Sequence, residues 1–203
     1  MFINWRKREI SLNIVYYGPA LSGKTTNLEE IHARTNPGVR SDLFTLNTHE
    51  DRTIFFDFLQ LQMAPIGGLR PMFSLYTVPG QVYYASTREA VLRRADGVVF
   101  VADSQAHRLE DNRASWQDMK ARLAGMGHEL SSFPLVVQFN KRDLSELSPV
   151  EELTSALDAA AYPRFQAIAI EGRGVPQTLR AAMRLTMLDA QRKLGARMKG
   201  AGT

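Results

Sequence analysis

Short apolar runs alternate along the chain with segments in which apolar residues recur every three or four positions. Ile10 to Tyr17 (ISLNIVYY) mixes alternating and continuous apolar character, the pattern of a strand buried on at least one face. A helix is expected from Gly23, with Leu28 and Ile31 aimed at the sheet, ending before Pro37 and Gly38. From Thr35 to Thr53 the chain is polar and turn-rich with few apolar anchors, and loops of that length are uncommon unless they are functional. Thr53 to Leu59 and Met72 to Val78 read as the two strands of a hairpin that turns at Gly67 and Gly68. A helix from Ser86 to Arg94 then leads into Gly97 to Asp103 (GVVFVAD), which fits a central parallel strand. The next helix carries Trp116, Met119, Leu123 and Met126 on one stripe, as a core-facing helix does. Leu135 to Phe139 is a further strand, followed by a helix from Val150 to Ala160, a strand from Phe165 to Ile170 and a last helix from about Gly174. That last helix directs Leu179, Met183, Met187 and Leu194 inward and Arg180 and Arg184 outward. Such β/α alternation predicts an α/β fold with a mostly parallel central sheet flanked by helices.

The junctions carry the chemistry. Gly18 to Thr25 reads GPALSGKT and meets every fixed position of G-x-x-x-x-G-K-[ST], set between a strand and a helix as that motif demands. In this setting the backbone N–H groups turn inward on a polyphosphate, backed by the positive end of the helix dipole, while the Lys24 ammonium reaches the outer phosphates. The Thr25 hydroxyl is offered to an accompanying magnesium ion. Gly18, Ala20, Leu21, Ser22, Gly23, Lys24, Thr25 and Thr26 are the resulting nucleotide-binding candidates. Arg52 and Thr53 close the long loop: Thr53 is placed to complete the metal shell and Arg52 to neutralise transition-state charge, the alternative for Arg52 being a surface pair with Glu50 or Asp51. Gly80, at a strand end, lets its N–H approach a terminal phosphate, and Gln81 can orient a water molecule, against the alternative of an ordinary loop glutamine. Asn140, Lys141 and Asp143 follow a later strand. A carboxylate at Asp143 accepts from both N1–H and the exocyclic amine of guanine, a donor pair that adenine lacks.

Composition narrows the picture further. A length of 203 residues with 44% hydrophobic positions suits one domain, 1–203, with basic N-terminal (1–9) and C-terminal (192–203) extensions. The absence of cysteine excludes disulfides, thiolate metal sites, thiol nucleophiles, prenylation and palmitoylation, and Phe2 excludes myristoylation. No signal-peptide core is present and no apolar run approaches the ~18 residues that span a bilayer, so a cytoplasmic location is expected, with any membrane contact peripheral. Formal net charge is +4, and the basic residues Arg6, Lys7, Arg8, Arg192, Lys193, Arg197 and Lys199 gather near the two ends. With Trp5 among them they are either a solvated tail or a surface for anionic lipid. No basic stripe with interleaved aromatics supports nucleic-acid binding.

These motifs, in this order and spacing, resemble the Ras-like small GTPases of the P-loop class, and more closely the bacterial MglA-type subfamily. The strings that carry the likeness are IVYYGP (14–19), DRTIFFDFL (51–59), LYTVPGQVYY (75–84), DGVVFVADS (96–104) and NKRDL (140–144), and it extends over nearly the whole chain. The resemblance implies a Ras-like G domain that binds GTP and GDP with Mg2+, switching in cell polarity or gliding motility, with recruitment to a cell pole or the inner membrane surface. It implies an MglB-type roadblock partner that promotes hydrolysis, and downstream effectors that the sequence does not name. It further implies that Arg52 is an arginine finger in cis, that Thr53 belongs to the first switch, that Gln81 positions the attacking water, and that the Ala169 N–H faces the guanine carbonyl. Two positions depart from the wider pattern. Thr77 stands where most small GTPases have a metal-facing aspartate, a feature shared by MglA proteins, leaving the ion to Thr25, Thr53, waters and help from Asp57. Ala20 replaces the glycine usual in MglA proteins, and its methyl crowds the space that Gln81 or Arg52 must enter. A GTP-binding scaffold with little hydrolysis, signalling by occupancy, is therefore the alternative to a slow GTPase switch.

Overall fold

The computed structural model describes residues 1–46, 56–79 and 85–200. One eight-stranded sheet organises them. Its strands are β1 (Phe2–Asn4), β2 (Glu9–Tyr17), β3 (Phe44–Leu46), β4 (Phe56–Gln62), β5 (Arg70–Thr77), β6 (Gly97–Asp103), β7 (Leu135–Asn140) and β8 (Arg164–Gln166). The helices are α1 (Lys24–Arg34), α2 (Ala85–Leu92), α3 (Leu109–Gly125), α4 (Val150–Ala156) and α5 (Val175–Gly200). Spatial order is β3-β4-β5-β2-β6-β7-β8. β5, β2, β6, β7 and β8 run parallel, whereas β3, β4 and β5 form an antiparallel meander. β1 pairs antiparallel with residues 9–11 of β2, on the stretch before β6 begins to pair at Ile14.

Both faces of the sheet are covered, which is why the central strands β6 and β7 are apolar and buried nearly throughout. On one face Leu12, Ile14 and Tyr16 of β2 pack with Leu28 and Ile31 of α1 and Leu179 and Met183 of α5. On the other, Val15 and Phe100 pack with Trp116, Met119 and Leu123 of α3. Trp116 meets Phe100 edge-on with ring centroids 4.9 Å apart. Gln138 and Asn27 satisfy one another in this core, exchanging amide hydrogen bonds of 2.8 and 3.0 Å that tie α1 to β7.

The segment 1–9, expected as an extension, contributes β1 to the sheet, and residues 192–200 continue α5. β3 lies inside the stretch expected to be loop, and α4 stops at Ala156. The strand expected over 165–170 is β8, which ends at Gln166, before the chain closes a short helical turn at Ala169–Glu171.

A polar cluster fixes α2 to the rest of the fold. The Tyr17 hydroxyl, one residue before Gly18, donates to Asp118 of α3. Asp118 also pairs with Arg88 of α2 at 3.2 Å and with Arg122 at 2.9 Å. Partial burial disfavours the charge on Asp118, but hydrogen bonds from Arg122 and Tyr17 and the charge of Arg88 hold its carboxyl below the usual range. A depressed carboxyl contributes stability above its unfolded pKa of about 3.9 and loses it as pH falls through the lower folded value. Asp118→Asn is accordingly expected to lower Tm by about 2–4 °C at pH 7, an effect held to that level by partial exposure. Thermal melts from pH 7 to pH 3 should show the gap between variant and wild type closing below pH 4.

Candidate nucleotide site

β2 delivers the chain into the phosphate loop at Gly18, whose φ of 148° and crowded Cα admit no side chain: a Cβ there would lie 2.2 Å from the Val101 carbonyl oxygen. Gly23, at φ 96°, likewise approaches the Asn140 amide so closely that a Cβ would lie 2.2 Å from it. α1 then begins at Lys24 with no acidic residue in its first turn and no side-chain cap, an N-terminus of the kind that suits an anion. Lys24 is buried, and its ammonium donates to the Gly18 and Pro19 carbonyls at 3.0 and 2.7 Å. Burial pushes its pKa down to about 7; Asp57 counters this and Arg88 and Arg108 add to it. Among the described residues no carboxylate forms an ion pair with it. A buried cation with only carbonyl partners is favourable chiefly when an anion joins it.

The oxygen donors beside the loop converge on one carboxylate. Asp57 lies on the buried parity of β4, with Leu59 and Leu61. It accepts from Thr25 Oγ1 at 2.6 Å, Thr45 Oγ1 at 3.0 Å and Thr77 Oγ1 at 2.8 Å. The Asp57 N–H donates to the same Thr77 hydroxyl at 2.8 Å, so β5 fixes both the backbone and the side chain of this aspartate. The residue that departs from the wider pattern is thus the one that positions a carboxylate from the neighbouring strand. A carboxylate with a threonine hydroxyl is the hard oxygen set that suits magnesium, an ion that takes one or two protein groups and fills its shell with phosphate and water.

At the far end, Asn140 ties the two loops together. Its Nδ2 donates to the Ser22 carbonyl at 2.8 Å and its Oδ1 accepts from the Ala169 N–H at 2.9 Å. The Ala169 N–H, expected to face the guanine carbonyl, donates in this structure to Asn140. Lys141, at φ 65°, pairs with buried Asp103 at 2.6 Å. Arg108 reaches the phosphate loop with a 2.8 Å hydrogen bond to the Ala20 carbonyl and lies 3.8 Å from Asp103. Asp143 is exposed beyond this brace, Leu21 projects outward, and Thr26 is half-buried in the first turn of α1. Arg52, Thr53, Gly80 and Gln81 lie outside the described residues.

No family model matches the chain. A curated relative does: the chain is 47% identical over 191 residues to the mutual gliding-motility protein MglA of Myxococcus xanthus (strain DK1622), covering 94% of this chain and 98% of the relative. The chain belongs to the MglA family of bacterial Ras-like small GTPases. The sheet described above, mostly parallel and flanked by helices, is the G-domain architecture of that family. Within this MglA-family site, Asp103 and Arg108 went unrecognised in the sequence although both brace the loops. Asp103 had a signal, being the lone charge that ends an otherwise apolar strand; Arg108 had none, because its partner Ala20 is 88 residues away.

Proposed function

We propose that this protein is a slow GTP/GDP-dependent switch acting in bacterial cell polarity or motility. The observation that carries the reading is the buried Lys24 ammonium, held by two loop carbonyls at the N-terminus of α1. The phosphate loop grips the β- and γ-phosphates, Asp143 selects guanine, and Asn140 with Lys141 and Asp103 holds the base loop in register with it. Thr25 and Thr53 would hold a magnesium ion, assisted by Asp57, and the ion would supply positive charge against the phosphates. Gln81 orients the attacking water, Gly80 contacts the γ-phosphate, and Arg52 stabilises the charge that develops during transfer. An MglB-type roadblock protein is the activating partner, and the cytoplasm, with recruitment to a pole, is the location in which such a switch works. The motility role rests on kinship to a protein named for gliding motility.

A second reading, a scaffold that signals by occupancy with little hydrolysis, is favoured by Ala20. Its carbonyl is pinned by Arg108 at 2.8 Å, so this stretch of loop resists moving its methyl aside. Single-turnover hydrolysis by wild type and Ala20→Gly, with and without an MglB-type protein, separates the two. A switch impeded by the methyl gives measurable turnover that rises about tenfold or more in Ala20→Gly, about 1.4 kcal/mol of barrier. Equal rates remove the steric contribution, and no turnover in either protein under any condition favours the scaffold.

A further inference from the structure

At the end of the sheet opposite the phosphate loop, two turns stand side by side. The first joins β1 to β2 through Trp5, Arg6, Lys7 and Arg8; the second joins β4 to β5 through residues 63–69. They are linked by a 2.7 Å hydrogen bond from the Arg70 N–H to the Arg8 carbonyl and by the pairing of Glu9 with Arg70. Neither is a loose tail. Asn4 Oδ1 accepts from the Lys7 N–H at 3.1 Å, Arg8 adopts a φ of 54°, and Ile66 and Leu69 exchange backbone hydrogen bonds of 2.8 and 3.1 Å.

Trp5 is 69% exposed, Phe2 67%, Ile66 50% and Met63 41%. A tryptophan held in water by an ordered turn is an unfavourable use of its apolar surface unless another surface covers it. Around these residues Arg6, Lys7, Arg8 and Arg70 are all exposed, against one adjoining carboxylate, the half-buried Glu9 that pairs in register with Arg70. The other basic group contributes less: Arg192 and Lys193 both pair with Asp189, at 2.6 Å each.

We propose that this two-turn face is a docking surface for an anionic lipid bilayer, with Trp5 and Ile66 entering the headgroup boundary and the four basic side chains meeting lipid phosphates. A bilayer fits the combination better than a folded protein partner, because exposed apolar tips flanked by basic residues are the pairing that an anionic headgroup boundary accepts. The nine residues of β2 separate this face from the phosphate loop by roughly 25–30 Å, so the docked protein presents its nucleotide site away from the bilayer.

The sequence supplies its own probe. Of the two tryptophans, Trp116 is fully buried against Phe100, so a change in emission on docking reports Trp5. The full chain, loaded with GDP, is mixed with vesicles of phosphatidylcholine alone or of phosphatidylcholine with phosphatidylglycerol. Co-sedimentation with the anionic vesicles only, a blue-shifted emission, and release by raised salt are expected. Arg6→Glu, Lys7→Glu and Arg70→Glu combined should weaken partitioning on the order of 100-fold or more while GDP binding is retained. Trp5→Phe should still sediment and lose the blue shift. Equal binding to neutral vesicles, salt-insensitive binding, an unshifted emission, or an affinity for single-stranded RNA that exceeds that for the vesicles would each overturn the proposal. The salt and emission readouts use wild-type protein, so they decide the matter even if the triple variant fails to fold.

Discussion

Lys24→Met is expected to weaken binding of both GDP and GTP by at least about 100-fold, since removing one partner of a buried, hydrogen-bonded charge contact costs about 2–5 kcal/mol. The apo protein should at the same time hold or gain thermal stability. Lys24 is buried among carbonyls with no ion pair in the described residues, and methionine fills similar volume without a charge to desolvate. Titration with a fluorescent GDP analogue and a thermal melt of the nucleotide-free variant measure the two effects. Their opposite signs matter: a lysine that served the fold would lose stability and binding together, and such a result would refute the anion-binding reading of this ammonium.

Asp143→Ala carries the second large effect, on selectivity in place of grip. A site built to pair with donors on one base rejects an analogue lacking them by about 10⁴-fold or more. Asp143 is exposed at the mouth of the site, and its alanine variant leaves Asn140, Lys141 and the phosphate loop in place. Competition of GTP and ATP against the fluorescent analogue should therefore show the wild-type preference collapsing to within about tenfold, chiefly through lost GTP affinity. A variant that still rejects ATP by three orders of magnitude would assign guanine recognition elsewhere.

Much of the architecture was readable because it depends on short-range pattern. The β2–loop–α1 unit, the apolar strands β6 and β7 and the Trp116 stripe of α3 each announce themselves within a dozen residues. β1 and β3 did not, being three-residue edge strands that form because β2 and β4 offer unpaired backbone groups. The strand expected through Ile170 followed a real alternation, Ala167 to Ile170. It was overridden where Asn140 takes the Ala169 N–H and Ile168 turns to bridge Arg173. In the candidate site, the phosphate-loop glycines and Lys24 were legible as a motif, and the structure gives them the tight turn and the buried ammonium that the motif predicts. Asp57 was named only as an assistant, although its place on the buried parity of an alternating strand was visible in the letters. The Tyr17–Asp118 hydrogen bond and the Arg108 brace join residues 101 and 88 positions apart, and no local pattern encodes such pairs.

Asn140 spans the gap between Ser22 and Ala169 with one amide group. On the function proposed above, a nucleotide would be a chelated ligand of these two loops, with the triphosphate and the purine as its two teeth. Separate fragments of such a ligand are expected to recover far less than the sum of their shares, because the two loops are already held at a fixed spacing and the second end binds intramolecularly.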